Sequence, residues 1–73
     1  MAQEGGSQAR LAARLRQLRA ERGLSQLDMV RKHAWSLSHY QKLERGVLDP
    51  KLSTLVRLAE CFDVTVGELL AGL

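Results

Sequence analysis

The segment 24–46, LSQLDMVRKHAWSLSHYQKLERG, constrains the fold more than any other part of the chain. Its first helix pattern follows Ser25, which can cap the first turn together with Asp28 in a capping box that has Asp in the place of Glu. Its second helix pattern follows Ser36, another capping residue, and ends at Gly46, which can adopt the left-handed conformation that closes a helix. Because the link between them is so short, the two helices must cross at a steep angle, the geometry of a helix-turn-helix.

Length and composition restrict the class of protein. A chain of 73 residues forms one domain, and 45% hydrophobic with 26% charged residues is typical of a globular one. The single cysteine, Cys61, excludes an internal disulfide and a cysteine-based zinc site. No apolar run approaches membrane-spanning length and no secretory signal is present, so a cytoplasmic protein without a membrane partner is expected.

The sequence contains no pattern of catalytic or cofactor-binding residues. No nucleophile, base and orienting residue form a recognisable set, and no glycine-rich phosphate loop is present. His33 and His39, the only two histidines, stand six residues apart, which is a poor spacing for metal ligands on a helix. The chain is therefore predicted not to be an enzyme and to need neither a metal nor a cofactor.

The net charge of +3 is unevenly distributed along the chain. Residues 1–45 hold nine basic against four acidic side chains, a balance of +5, and residues 46–73 hold two against four, a balance of −2. The basic part contains the two-helix segment, which favours an anionic partner such as nucleic acid. The alternative is a basic face that is only solvated.

Apolar spacing and capping residues predict an all-α, compact five-helix bundle. Residues 1–8 lack periodicity and are predicted to be a flexible arm, with a single domain over 9–73. The helices are expected at about 8–22, 26–33, 37–45 and 51–62, followed by a short fifth helix that begins at the capping box Thr65-Val66-Gly67-Glu68. Asp63, after the fourth helix, is among the residues that tolerate a left-handed conformation. Trp35 is expected to be buried.

The helical wheels predict which side chains form the core. In the first helix Leu11, Leu15 and Leu18 lie on one stripe. In the fourth helix one broad face holds Leu52, Leu55, Val56, Leu58, Ala59 and Phe62. Cys61 falls on the opposite, polar side of that helix, which predicts an accessible free thiol.

The chain resembles the phage Cro and lambda-repressor, or xenobiotic-response-element (XRE), family of helix-turn-helix proteins over about residues 10–70. The resemblance rests on residues along the whole chain in the right order: Leu15-Arg16-Gln17-Leu18-Arg19, Arg22-Gly23-Leu24, Ser25-Gln26, Ser36, Leu43-Glu44-Arg45-Gly46, Asp49-Pro50, Leu55, Leu58-Ala59-Glu60 and Val64 to Leu69. It implies a lambda-repressor-like DNA-binding domain with the third helix in the major groove of duplex DNA.

The resemblance also implies which residues contact DNA. The polar face of the third helix, opposite Tyr40 and Leu43, would supply the base contacts. In the family's pattern these come from Leu37, Ser38 and Lys42, with His39 and Gln41 as possible additions. Gln26, at the start of the second helix, would bind a phosphate, and Arg45 could bind another. The alternative is an ordinary polar helix surface.

The family pairs the positions of Arg19 and Glu44, which implies an ion pair between the first and third helices. Two independent surface charges are the alternative. Several residues depart from the family's pattern: Ala34 replaces the turn glycine, Trp35 replaces a smaller aliphatic residue, and Leu27 and Leu37 replace residues that are usually polar.

The resulting hypothesis is a small transcriptional regulator that acts as a homodimer on a two-fold-related operator. The apolar side chains of the fifth helix and the C-terminal tail, Val66, Leu69, Leu70 and Leu73, are predicted to form the dimer interface, with the fourth helix or Leu27 as alternatives. The alternative function is an antitoxin-like module that binds a partner protein and has lost specific DNA binding.

Overall fold

The computed structural model describes residues 6–71, which form five α-helices and no strand. The helices are α1 (Gly6–Glu21), α2 (Gln26–His33), α3 (Leu37–Arg45), α4 (Leu52–Cys61) and α5 (Val66–Leu69). The predicted five-helix, all-α class is confirmed. In this part of the chain no helix combines the length and the apolar character needed to cross a membrane.

The first helix begins at Gly6, two residues before the expected start at Gln8. Residues 6–8 of the expected arm therefore belong to α1, and residues 1–5 lie outside the described residues.

Local hydrogen bonds explain the helix boundaries that the sequence predicted. The Ser25 hydroxyl accepts a bond from the Asp28 amide at 3.0 Å, and the Asp28 carboxylate accepts one from the Ser25 amide at 2.8 Å. Thr65 and Glu68 repeat this reciprocal capping box at the start of α5. Each box satisfies two amides that the first turn of a helix leaves free, so α2 and α5 begin where their caps place them.

The core lies between the five helices and includes the helix-turn-helix turn. Its buried members are Leu11, Leu15, Leu18, Met29, Trp35, Tyr40, Leu43, Leu58, Ala59, Phe62 and Leu69. Trp35 is only 2% exposed, which confirms its predicted burial. The predicted face of α4 is wrong at both edges: Leu52 and Val56 are exposed at one edge, and Cys61 packs against the core at the other.

Gly46 ends α3 and also lies against α1. Its φ of 73° is left-handed, the conformation predicted for the end of this helix. A Cβ atom at this position would stand 3.3 Å from both the Ala9 Cα and the Gln8 carbonyl oxygen. Glycine is therefore required here twice, by its backbone conformation and by the close approach of α1.

Candidate nucleic-acid interface

The outward face of α3 carries most of the residues predicted to contact DNA. Tyr40, Leu43 and Glu44 are buried against the rest of the domain, which turns the opposite side of the helix toward solvent. That side holds five exposed predicted site residues: Leu37, Ser38, Gln41, Lys42 and Arg45. The sixth, His39, is half-buried, and its ring lies 5.8 Å from the Trp35 ring, so it contributes less to the exposed face.

A short, well-defined turn sets the start of this helix. Ala34 closes α2 in the left-handed conformation at φ 58° and ψ 32°, and its amide donates to the Val30 carbonyl. Two residues later Ser36 caps α3, its hydroxyl accepting from the His39 amide at 3.3 Å. Ala34, which replaces the family's turn glycine, therefore adopts a left-handed conformation, at a cost of roughly 1 kcal/mol relative to glycine.

Gln26 lies at the start of α2, beside the face of α3. Its Nε2 donates to the Glu44 Oε1 at 3.0 Å, and its Oε1 accepts from the Gln41 Nε2 at 3.4 Å. Since a carboxylate only accepts hydrogen bonds, the nitrogen of the Gln26 amide must face Glu44 and its oxygen must face Gln41. The structure thus places Gln26 and Gln41 side by side, a pairing that the sequence alone did not predict.

Arg19 and Glu44 form a two-point ion pair between α1 and α3. The Arg19 Nε lies 2.7 Å from the Glu44 Oε2, and the Arg19 Nη2 lies 3.0 Å from the Oε1. The remaining Arg19 Nη1 donates to the Leu24 carbonyl at 2.9 Å. Because the Glu44 side chain is only 2% exposed, this pair fixes α3 against α1 and against the start of the α2 segment.

The surroundings of Glu44 keep its carboxylate ionised. Burial alone would raise its pKa, but the hydrogen bonds from Arg19 and Gln26, the nearby Tyr40 hydroxyl and the Arg19 charge together lower it below the usual value. The Tyr40 hydroxyl is buried without a hydrogen-bond partner of normal geometry, although it lies close enough to Glu44 for each group to affect the other. Burial and then Glu44 raise the pKa of Tyr40, so the phenol stays neutral at physiological pH.

We expect the Glu44 interactions to make stability depend on pH. A carboxylate whose pKa is lower in the folded state contributes stability above its unfolded pKa, near the usual 4.5, and loses it as the pH falls from there through the lower folded value. Urea unfolding at a series of pH values between neutral and acidic should therefore show a steeper loss for the native chain than for Glu44→Gln. Equal slopes for the two proteins would contradict this assignment.

Three arginines of α1 are engaged inside the domain and do not contribute freely to the basic surface. Arg14 donates to the Glu68 carbonyl at 3.0 Å, and Arg16 donates to the Glu44 carbonyl. Both guanidinium groups bind carbonyls at the carboxyl ends of helices, where a positive charge is favourable. Arg19 is occupied by its ion pair with Glu44. The charge excess of residues 1–45 therefore overstates the basic character of the exposed α3 face, where Lys42 and Arg45 are the cations.

A second cluster, which the sequence reasoning missed, surrounds Trp35. The indole Nε1 donates to the Cys61 Sγ at 3.2 Å, and the Arg57 guanidinium lies over the indole at 3.8 Å from its centre. The prediction of an accessible thiol is wrong, because Cys61 is half-buried under Trp35. Burial raises the pKa of Cys61, with the Trp35 hydrogen bond and the Arg57 charge opposing it only in part, so little thiolate forms at neutral pH.

The predicted dimer residues do not form an exposed apolar surface. Leu69 is fully buried in the core of its own subunit, and Val66 and Leu70 are half-buried against that core. The short α5 buries its apolar side because it packs against α4 and joins the core. Leu73 lies outside the described residues. Among residues 6–71, the exposed large apolar side chains are instead Leu27, Leu37, Val47, Leu52 and Val56.

Comparison with known proteins identifies the family. Residues 10–73 match the family model described as a helix-turn-helix domain. The chain is also 43% identical over 63 residues to the HTH-type transcriptional regulator DdrOP3 of Deinococcus deserti. That alignment covers 86% of this chain and 49% of the relative, so the chain spans about half the length of the relative it matches. The family match and this similarity show that the chain belongs to the helix-turn-helix domain family.

Proposed function

We propose that this chain is a sequence-specific duplex-DNA-binding regulator of transcription of the Cro and lambda-repressor type, with α3 in the major groove. The observation that carries the proposal is the exposed face of α3, where Ser38, Gln41, Lys42 and Arg45 stand beside Gln26 of α2. Side chains of these types donate to base edges and to phosphates. The relative from Deinococcus deserti is itself described as a transcriptional regulator.

The face divides into residues that would read bases and residues that would bind the backbone. Ser38 and Lys42 occupy its centre and can reach base edges, and Leu37 can contact a thymine methyl group. Gln26 stands at the amino end of α2, where free amides also favour a phosphate. Arg45, in the last turn of α3, extends toward the other side of the groove and would bind a second phosphate.

We further propose that the protein binds as a homodimer, so that two copies of α3 meet two half-sites about one DNA turn apart. The apolar side chains that α4 leaves exposed, Leu52 and Val56, lie one helical turn apart on one side of that helix. They replace the buried α5 residues as the candidate subunit contact.

Selection from a random pool of DNA duplexes tests the proposal directly. A regulator of this kind should enrich one sequence, repeated with two-fold symmetry if the dimer is correct. A pool that remains random after repeated rounds would contradict sequence-specific binding. In that case the alternative, a module of the same fold that binds a partner protein, accounts better for the exposed Leu27 and Leu37.

Lys42→Ala should change the preferred base at one position of the selected site, at a cost of about 1–3 kcal/mol against the original sequence. Arg45→Ala should weaken all duplexes about equally and reduce the slope of affinity against salt by about one counterion. Binding constants on the selected site and on its single-base variants, across a salt series, separate the two effects.

Lys32→Ala is a matched control, because it removes one exposed lysine from the last turn of α2 and leaves the face of α3 unchanged. If Lys42→Ala and Lys32→Ala show the same base preferences, Lys42 does not read a base and the assigned recognition face is wrong.

A further inference from the structure

Arg57 of α4 contacts the helix-turn-helix turn in two ways, although it belongs to neither helix of the motif. Its Nη2 donates to the carbonyl of Ala34 at 2.9 Å and to that of His33 at 3.1 Å. Its guanidinium carbon also lies over the Trp35 indole, 3.8 Å from the ring centre. One side chain therefore holds both the backbone and the buried aromatic residue of the turn.

The carbonyls of His33 and Ala34 have no hydrogen-bond partner within α2. Carbonyls at the end of a helix have no amide of the next turn to bind, and those of His33 and Ala34 lie where α2 stops. A cation is favoured at this end of a helix. Since Ala34 is held in a left-handed conformation that an alanine rarely adopts, the Arg57 hydrogen bonds help to keep the turn in that conformation.

Trp35 anchors the same turn from the inside. Its ring lies 5.8 Å from the Tyr40 ring, and its Nε1 donates to the Cys61 Sγ at 3.2 Å. Tyr40 belongs to α3 and Cys61 to α4, so the indole joins these two helices at the turn. Arg57 covers the indole from the solvent side.

We infer that Arg57 is a positioning residue for DNA recognition, which holds the turn and Trp35 so that the first turn of α3 points at the bases. Only Trp35 and Ser36 separate the left-handed Ala34 from Leu37, the first residue of α3. A rotation of the turn would therefore move Leu37 and Ser38 more than Lys42 or Arg45. This inference rests on the proposed function for its effect on DNA, while its effect on the turn can be measured without DNA.

The test compares Arg57→Met, which keeps a long apolar side chain over the indole, with Arg57→Lys, which keeps the charge. Arg31→Met is the matched control, because Arg31 is an exposed arginine of α2 and its loss removes the same charge. On the duplex selected by the native chain and its single-base variants, Arg57→Met should discriminate roughly threefold to tenfold less at the base pairs read by Leu37 and Ser38. This is the effect expected from losing two carbonyl hydrogen bonds and a cation–π contact. Arg57→Lys should restore part of it, and Arg31→Met should weaken all duplexes alike.

Two measurements on the free protein report the turn itself. Trp35 is the only tryptophan, so its fluorescence emission should shift in Arg57→Met and stay unchanged in Arg31→Met. Hydrogen exchange of the His39 amide, which is bonded to the Ser36 hydroxyl, should accelerate more than exchange in α1. Unchanged fluorescence emission and unchanged hydrogen exchange in Arg57→Met would overturn the inference. If the native chain selects a DNA sequence, unchanged base discrimination by Arg57→Met would overturn it as well. If the native chain selects no sequence, the proposed function fails, and emission and exchange alone decide whether Arg57 holds the turn.

Discussion

Replacing Glu44 by alanine should lower the free energy of unfolding by about 3–5 kcal/mol, the usual effect of breaking a buried ion pair from one side. The change removes both carboxylate contacts of the Arg19 guanidinium and the acceptor of the Gln26 amide. Arg19 then remains partly buried with an uncompensated charge. In a domain of this size such a loss is a large fraction of the total stability, and urea unfolding followed by circular dichroism measures it directly.

Two further variants separate the ion pair from general effects of charge. Glu21→Ala removes an exposed glutamate at the end of α1, the helix that carries Arg19. It should change stability by less than about 1 kcal/mol. The double replacement Arg19→Met with Glu44→Leu should recover much of the lost stability, since it leaves no buried charge unpaired. A Glu44→Ala protein as stable as Glu21→Ala would show that the pair does not hold α3 against α1.

Trp35→Ala should cost about 3–5 kcal/mol, because it opens a cavity where the turn, α3 and α4 meet. The side chain is 2% exposed and lies against Tyr40, Cys61 and Arg57. Its removal leaves the Arg57 guanidinium without the ring that it covers. The variant has no tryptophan, so chemical unfolding must again be followed by circular dichroism.

Trp35→Phe keeps an aromatic ring and loses the bond to the Cys61 Sγ, so a smaller loss of about 1–2 kcal/mol is expected. Val47→Ala provides the surface control, because Val47 is 55% exposed and its truncation should change stability by no more than about 0.5 kcal/mol. If Trp35→Ala is as stable as Val47→Ala, the indole does not form part of the core.

Local signals in the sequence predicted the helices well because their causes are local. The caps at Ser25, Ser36 and Thr65 each accept a bond from the amide three residues further on, so a short window of sequence contains both partners. Asp63, which follows the end of a helical pattern and is a residue type that tolerates the left-handed conformation, adopts that conformation at φ 55°.

Contacts between distant residues explain where the sequence-based predictions failed. Periodicity predicts the width of the apolar face of α4 but not which neighbours cover its two edges, so Leu52 and Val56 were placed inside and Cys61 outside. Arg14 and Arg16 bind carbonyls 54 and 28 residues away, for which the local sequence carries no signal. Of the candidate site, the exposed face of α3 follows from its helical wheel, whereas the pairing of Gln26 with Gln41 requires α2 and α3 to be placed in space.

The contacts at the end of α3 limit which side chains of this helix can be exchanged. Gly46 lies against α1, Arg16 binds the Glu44 carbonyl, and Glu44 and Leu43 are buried, so the last turn of the helix cannot be exchanged separately from α1. The exposed positions Leu37, Ser38 and Lys42 share none of these contacts. A helix grafted from another member of the family should therefore replace only the outward side chains and retain this anchored end unchanged.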